Sequence, residues 1–375
     1  MEGREYRLMI AGGKTGGHLF PGIAVARRFM ALGPDHKVLF VGIKEGLEAR
    51  VLPREKIPLI TVRGTGIRGT GIKGIAKSMA LIPIAIFQSL KVALSYRPHV
   101  ALGVGGYVSG PVILAAWVLR IPTAIQEQNA VPGWTNRILG KFVNVVFAAF
   151  EESAKYFPER SLMTVGNPVR DEVINPPNGE MELHLENLNP GLRTLLVFGG
   201  SQGARPINRA VSDFMRSNPT LRDRLNLIHQ CGSADLEAMQ NEYRDMGYKA
   251  IVVPFIHRMG EAYAAADLVI ARAGAGTVFE LMALGKPSVL IPFPEAAGDH
   301  QTFNAMAMAQ KGASVMVRQA DIADGALSRM LKELLANHAR LKEMSEKARA
   351  LSSIDSSGII ARKLHEMAER QESGD

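Results

Sequence analysis

The stretch that decides the fold is RLMIAGGKTGGHLFPG, residues 7–22. An apolar run of strand type ends in two glycine pairs separated by Lys14 and Thr15, and His18 and Pro21 follow. Two familiar phosphate motifs fail on spacing. A nucleoside-triphosphate P-loop needs a glycine five positions before its Gly-Lys-Thr, and that position is Leu8. The dinucleotide fingerprint needs glycine where Lys14 stands. What remains is general physics. A glycine turn between a strand and a helix brings backbone N–H groups close to an anion, and the helix N-terminus adds partial positive charge. A tight turn with no ligand is the plainer alternative.

The same pattern recurs outward from this turn. RLMIAG, KVLFVG, PLITVRG, HVALGVGG, IPTAIQEQ and NVVFAAF read as strands in the first half. RTLLVFGG, LNLIHQCG, KAIVVPF, DLVIARAG, PSVLIPF and ASVMVRQ read as strands in the second. Continuous apolar runs separated by helical stretches indicate parallel strands buried on both faces. The fold class is therefore α/β, with two Rossmann-like, doubly wound parallel-sheet domains. The join falls in the Pro-, Asn- and Gly-rich segment 166–180. We expect an N-terminal domain over 1–168 and a C-terminal domain over 169–349, with a last helix, about 350–371, packing back on the first. Glycine clusters follow strand ends in both halves, at 12–18, 103–110, 199–204 and 272–277. Open α/β sheets bind ligands at the carboxyl ends of their strands, so two such domains facing each other would form a cleft for more than one phosphate.

Composition sets the limits. The 375 residues are 47% hydrophobic and 21% charged, enough apolar material for two cores. The single cysteine, Cys231, fits a reducing compartment. MEGREYRLMI lacks the apolar region of a signal peptide and reads as a cytoplasmic start. Residues 98–119 contain no Asp, Glu, Lys or Arg, but the five residues Gly103, Gly105, Gly106, Gly110 and Pro111 break them into strand, loop and buried helix rather than a membrane span. The net charge is +8, and between Ile57 and Gln126 there is no acidic residue against seven cations. That surface favours an anionic partner.

The residues beside the glycine clusters sharpen this. In RAGAGTVFE, Glu280 follows Thr277 by three positions. It could close a capping box, or its carboxylate could accept two ribose hydroxyls. Asp299, His300, Gln301 and Asn304 crowd another strand end with groups suited to sugar hydroxyls, although a solvated loop would use similar residues. There is no Asp-x-Asp pair and no His/Cys ligand spacing. We therefore expect no metal and no cofactor, with a leaving diphosphate met by N–H groups, helix ends and Arg272 or Arg170.

Seven motifs occur in the order GGKTGGH, GGYVSGP, QEQN, GNPVR, GGSQGA, ARAGAGTVFE and DHQTFNA. In this the chain resembles the MurG family of peptidoglycan glycosyltransferases over residues 8 to about 310. The resemblance implies a GT-B fold and an inverting, metal-independent hexosyltransferase. It would move N-acetylglucosamine from UDP-N-acetylglucosamine to the 4-hydroxyl of lipid-linked N-acetylmuramoyl-pentapeptide, giving lipid II for the cell wall. By position, it implies donor contacts at Thr15, Gly16, Gly17, Asn129, Arg170, Ser201, Ile256, Ala275, Gly276, Thr277, Val278, Phe279, Glu280 and Gln301, to which Arg272 and Asn304 are added from their neighbourhood. Ile256 would offer its backbone to uracil. The acceptor would meet Gly13, Lys14, Gly105, Gly106, Tyr107 and Ser109. The chain departs from the family at Lys14, usually glycine, and at Gln126, often histidine.

An inverting displacement needs a base for the acceptor hydroxyl. His18 is the first candidate, because a helix start keeps a histidine neutral, and Glu127 is the second. The segment 71–91 offers a membrane dock in which Ile75, Met79, Ile82 and Ile86 fall near helical spacing beside Lys73, Lys77 and Lys91, with Pro83 expected to break or kink it, and an ordinary core helix is the plainer alternative. The expected location is peripheral, on the cytoplasmic face of the plasma membrane. Two alternatives stand: transfer to another lipid such as diacylglycerol, or a non-catalytic module binding nucleic acid or phosphate. The chain has no helix-turn-helix or RNP signature and only 6% aromatic residues, so nucleic acid is not expected as a partner.

Overall fold

The computed structural model describes residues 4–13, 15–63, 71–176, 183–352 and 355–373, with backbone alone for 71–80. The chain divides into two compact units, Met1–Val169 with Ser353–Asp375, and Arg170–Ser352.

Among the described residues, the first unit holds seven parallel strands: β1 (Arg7–Ala11), β2 (Lys37–Gly42), β3 (Leu59–Thr61), β4 (Val100–Gly103), β5 (Thr123–Glu127), β6 (Val145–Ala148) and β7 (Leu162–Thr164). Their order is β3-β2-β1-β4-β5-β6-β7. Six are the runs read as strands. The three-residue β7 was not among the runs read as strands. Strand β1 shows why the runs are continuously apolar. Leu8 and Ile10 enter the core on one face, against Leu19, Ile23 and Phe29 of helix Gly16–Met30. Met9 and Ala11 enter the core on the other, with Val112, Ile113 and Ala116 of helix Ser109–Val118. Alternate side chains point to opposite faces, and both faces are covered.

Helix Ser356–Ser373 returns to this unit and packs on helix Gly16–Met30, burying Ile360, Leu364 and Met367 in the same core. Helix Gly71–Tyr96 runs through Pro83, so of the expected break or kink the break does not occur. The ring of Pro83 removes one N–H donor, and the helix packs against helix Ser109–Val118.

The second unit holds β8 (Arg193–Phe198), β9 (Leu225–Gln230), β10 (Ala250–Val253), β11 (Leu268–Ala271), β12 (Ser288–Leu290) and β13 (Ser314–Met316), all parallel, in the order β10-β9-β8-β11-β12-β13. Its core joins Leu195, Val197, Leu227, Leu268 and Ile270 of the sheet to Ile207, Val211 and Phe214 of helix Arg205–Arg216.

Each order reverses direction once, between β1 and β4 in the first sheet and between β8 and β11 in the second. Ligands of open α/β sheets bind at such switch points. The four glycine clusters lie after these four strands.

Candidate active site

In the first unit the turn after β1 leads into helix Gly16–Met30, with Thr15 as an extended N-cap whose side chain makes no capping bond. Thr15 Oγ1 lies 3.1 Å from His18 Nδ1, and the helix has no acidic residue in its first turn. Its early N–H groups are thus offered to an anion rather than to an internal carboxylate. The turn after β4 meets this one across the switch point. Gly105 has φ +96°, and a Cβ there would stand 2.5 Å from His18 Cδ2. Gly106 lies against Gly13, with the position of a Cβ 3.3 Å from the Gly13 carbonyl oxygen. Gly13, Thr15, Gly16, Gly17, His18, Gly105 and Gly106 are therefore brought to one place, with Tyr107 next in the chain. Lys14 lies outside the described residues.

Two residues assigned to this region take different parts. Ser109 is fully buried. Its Oγ accepts the Gly105 N–H at 3.0 Å and lies 2.7 Å from the Ala11 carbonyl oxygen, pinning the two turns together instead of facing an acceptor. Glu127, the second candidate base, is also buried. Its carboxylate accepts from Asn129 N at 2.9 Å, Asn129 Nδ2 at 3.2 Å, Gly133 N at 3.1 Å and Asn136 Nδ2 at 2.8 Å. Four donors fill the acceptor capacity of a carboxylate. Burial pushes its pKa up, against the pull of these donors. Glu127 organises the loop 128–133, and no oxygen is left for a substrate hydroxyl.

Sequence reasoning did not foresee how the groups around it bond. Gln126 donates to Asn167 Oδ1 at 2.9 Å and accepts from Gln128, which also donates to the Val104 carbonyl at 2.7 Å. Gln128 Oε1, Asn136 Oδ1 and Asn167 Nδ2 are buried with no hydrogen-bond partner, the pattern expected beside a polar ligand or an ordered water. Glu48 is fully buried after β2, where it accepts the Ile43 N–H at 2.9 Å. Its carboxylate fills the space that side chains on Gly13 and Gly46 would need. The only sequence signal for Glu48 is that spread of glycines.

In the second unit, helix Arg205–Arg216 follows the turn after β8, and helix Ala275–Leu284 follows β11 with Gly274 as N-cap. Neither carries an acid in its first turn or a side-chain cap. Because Gly274 is the N-cap, Thr277 is already inside the helix, and the capping-box reading of Thr277 and Glu280 fails. Glu280 instead bonds Arg170 Nη2 at 3.1 Å through one oxygen and the Tyr263 hydroxyl at 3.0 Å through the other. One further acceptor position remains on each oxygen, which suits a vicinal diol. Tyr263 left no trace in the sequence pattern.

Ser201 is exposed on the β8 turn. Ile256 follows β10, and its N–H donates to Gln230 Oε1 at 3.2 Å. Gln301 accepts the Phe293 N–H at 2.9 Å. Arg272 and Asn304 depart from their assignment. Arg272 is buried, and it donates to the carbonyls of Ile291 and Pro292 at 3.2 and 3.0 Å and to Gln319 Oε1 at 2.6 Å. Burial lowers its pKa. These bonds strap loop ends together. Asn304 is fully buried and holds the Ala273 carbonyl at 3.2 Å. Among the described residues, no cluster of three His, Cys, Asp or Glu side chains could hold a metal ion.

The side chains of Lys73, Ile75, Lys77 and Met79 lie outside the described residues. Ile82 and Ile86 are half-buried. Among the described side chains of that helix, Ile84, Phe87 and Leu94 are the exposed apolar ones, with Lys91 Nζ 4.7 Å from the Phe87 ring centre, and exposed Trp117 and Val118 lie on the neighbouring helix. No helix of the described residues is long and apolar enough to cross a membrane.

Comparison with known proteins agrees with this layout. The glycosyltransferase family 28 N-terminal domain matches residues 8–148, and the glycosyltransferase family 28 C-terminal domain matches residues 194–357. A UDP-N-acetylglucosamine–N-acetylmuramyl-(pentapeptide) pyrophosphoryl-undecaprenol N-acetylglucosamine transferase of Myxococcus xanthus is 44% identical, over 91% of this chain and 88% of the relative. A protein of the same name from Geobacter metallireducens is 41% identical, over 94% and 96%. The crystal structure of Acinetobacter baumannii MurG superposes with a TM-score of 0.77 at 31% identity, over 96% of this chain and 99% of that one. A UDP-GlcNAc 2-epimerase from Neisseria meningitidis, 12% identical with a TM-score of 0.67 over 97% and 100%, shares the fold alone. With both family domains matched in order and relatives above 40% identity along nearly its whole length, the chain belongs to glycosyltransferase family 28 and, within it, to the MurG family.

Proposed function

We propose that this chain transfers N-acetylglucosamine from UDP-N-acetylglucosamine to pyrophosphoryl-undecaprenol-linked N-acetylmuramyl-pentapeptide, the reaction for which its relatives are named. It is a hexosyltransferase of peptidoglycan synthesis. The observation that carries the reading is the pair of glycine turns at each switch point, each pair feeding an uncapped helix N-terminus with no first-turn acid. The first unit then takes the acceptor and the second the donor.

In the second unit the diphosphate lies against the turn at 199–203 and the first turn of helix Ala275–Leu284, where fixed N–H donors meet the charge that grows as UDP leaves. Arg170 lies beside Glu280 and adds a cation, while Glu280 takes the ribose hydroxyls. The sugar inverts in a single displacement by the acceptor 4-hydroxyl. In the first unit His18 accepts that proton, with Thr15 orienting its ring. No metal ion is required. Turnover assayed as UDP release from UDP-N-acetylglucosamine and the muramoyl lipid tests the reading, with diacylglycerol as the alternative acceptor. Release with diacylglycerol alone would reverse the acceptor assignment.

The acceptor's lipid tail calls for a membrane dock, peripheral and on the cytoplasmic face. Exposed Ile84, Phe87, Leu94 and Trp117, beside Lys91 and Arg120, support one on the first unit. Apolar side chains enter the interface, and each cation near an anionic leaflet contributes about 1 kcal/mol. Retention on anionic vesicles that survives the double change Phe87→Ser and Trp117→Ser would remove this face from the account.

A further inference from the structure

Gln230 is the last residue of β9, the strand between β8 and β10. The residue is 3% exposed, and both ends of its carboxamide are used. Nε2 donates to the Gly200 carbonyl at 2.7 Å, in the glycine turn after β8. Oε1 accepts the Ile256 N–H at 3.2 Å, in the loop after β10. Neither bond belongs to the sheet ladder. Together they tie two loops whose strands are not neighbours, about 10 Å apart at the usual strand spacing. Both loops stand at the carboxyl end of the sheet, where such folds place ligands.

The turn at 199–204 has little other freedom. Gly203 and Gly232 press backbone on backbone, and Asn208 Nδ2 holds the Cys231 carbonyl at 2.8 Å. Asn208 Oδ1 lies 3.1 Å from Nε2 of His229, a ring that burial keeps neutral with its pKa lowered to about 4. The turn is fixed from below by this network. Gln230 alone, among the described hydrogen bonds, joins it sideways to the Ile256 loop.

We propose that Gln230 is a positioning residue for the donor nucleotide. Its carboxamide sets the spacing between the turn that takes the diphosphate and the backbone edge at Ile256, so that one ligand spanning both is held better than its two parts. This rests on the donor reading of the second unit. A clamp between two half-sites matters to a ligand that fills both, and little to one that fills either.

The test compares the full chain with Q230A and Q230E. Glutamate can still accept the Ile256 N–H, but it sets an anion against the Gly200 carbonyl. Inhibition constants are measured for UDP, uridine and inorganic pyrophosphate, with donor KM and kcat and the melting temperature. The expected result is a rise of about tenfold or more in donor KM and in the UDP constant. Uridine and pyrophosphate should change by less than about threefold, and kcat at saturating donor should fall less than KM rises. A residue serving only the fold would lower the melting temperature and weaken all three ligands in proportion, and that result overturns the proposal. UDP binding unchanged in both variants overturns it too. Should Q230A not fold, Q230E carries the test. Wild-type chain that fails to bind UDP overturns the donor reading, and the clamp with it.

Discussion

The imidazole of His18 lies over the α-carbon of Gly105, so that a Cβ on Gly105 would stand 2.5 Å from His18 Cδ2 and 2.9 Å from Nε2. The backbone there, at φ +96°, is one that side-chain-bearing residues rarely adopt. Glycine at 105 is therefore a condition for the position of His18. Gly105→Ala should lower kcat by about a hundredfold or more, near the loss in His18→Ala, as expected for removal of a general base. Circular dichroism should show the fold intact. Full turnover in folded His18→Ala would remove the residue from the mechanism.

Glu127 gives a prediction that separates two roles. Replacing it by glutamine puts an amide N–H₂, a donor, where a carboxylate oxygen accepted, so that it faces N–H groups that are themselves donors. An unsatisfied buried donor costs about 1–3 kcal/mol. Glu127→Gln should therefore lower the melting temperature while keeping measurable turnover. A collapse of kcat with unchanged stability would restore Glu127 as the base.

Tyr263 donates to Glu280 from a fully buried position, and burial followed by the Glu280 charge raises its pKa, which keeps it protonated. Tyr263→Phe removes that bond and leaves Arg170 as the remaining described partner of the carboxylate. Hydrogen bonds to charged groups contribute about 1.5–3 kcal/mol, so donor KM should rise about tenfold with a smaller change in kcat. An unchanged donor KM would take Glu280 out of ribose binding.

The first unit should lose stability in mild acid. The ring of His36 is packed between Tyr6, Phe29 and His365 with both nitrogens buried and unbonded. Burial first, then the charge of His365, lowers its pKa below 6.5, while Asp35 and Glu369 pull the other way. His99 is lowered by burial and Arg7, against Glu5 and Glu372, and its Nδ1 accepts the Arg7 N–H at 3.0 Å. Both bind a proton less readily in the fold than in the unfolded chain. Below pH 6.5 the unfolded chain binds more protons, so stability falls as pH falls and is kept above that value. Melting temperatures between about pH 8 and pH 5 check this. His36→Phe should flatten the slope, and a slope of the opposite sign would contradict the assignment.

Leu364 carries the return of the last helix. It is fully buried against the core of the first unit. Leu364→Ala should cost about 2–5 kcal/mol by cavity formation, read from denaturant midpoints. A loss below about 0.5 kcal/mol would mean that the helix is not seated there.

The sheet architecture could be read from residues because the apolar runs are unbroken and end in glycines, as in RLMIAGG and RTLLVFGG. The glycine turns were legible for the same reason. Partnership was not. Ser109, Glu127, Arg272 and Asn304 have the chemistry of ligand contacts, and only the fold shows the protein groups they bond. Glu48 and Tyr263 meet their partners only through tertiary packing, and the cross-loop bonds of Gln230, though it ends a strand, have no local period or spacing to mark them.

The most direct test of the central claim is transfer of labelled N-acetylglucosamine from UDP-N-acetylglucosamine to the muramoyl-pentapeptide lipid in excess EDTA. The account predicts that labelled disaccharide lipid and UDP form at equal rates, undiminished by the chelator. Absence of product, or activity lost in EDTA and restored by magnesium, would contradict it.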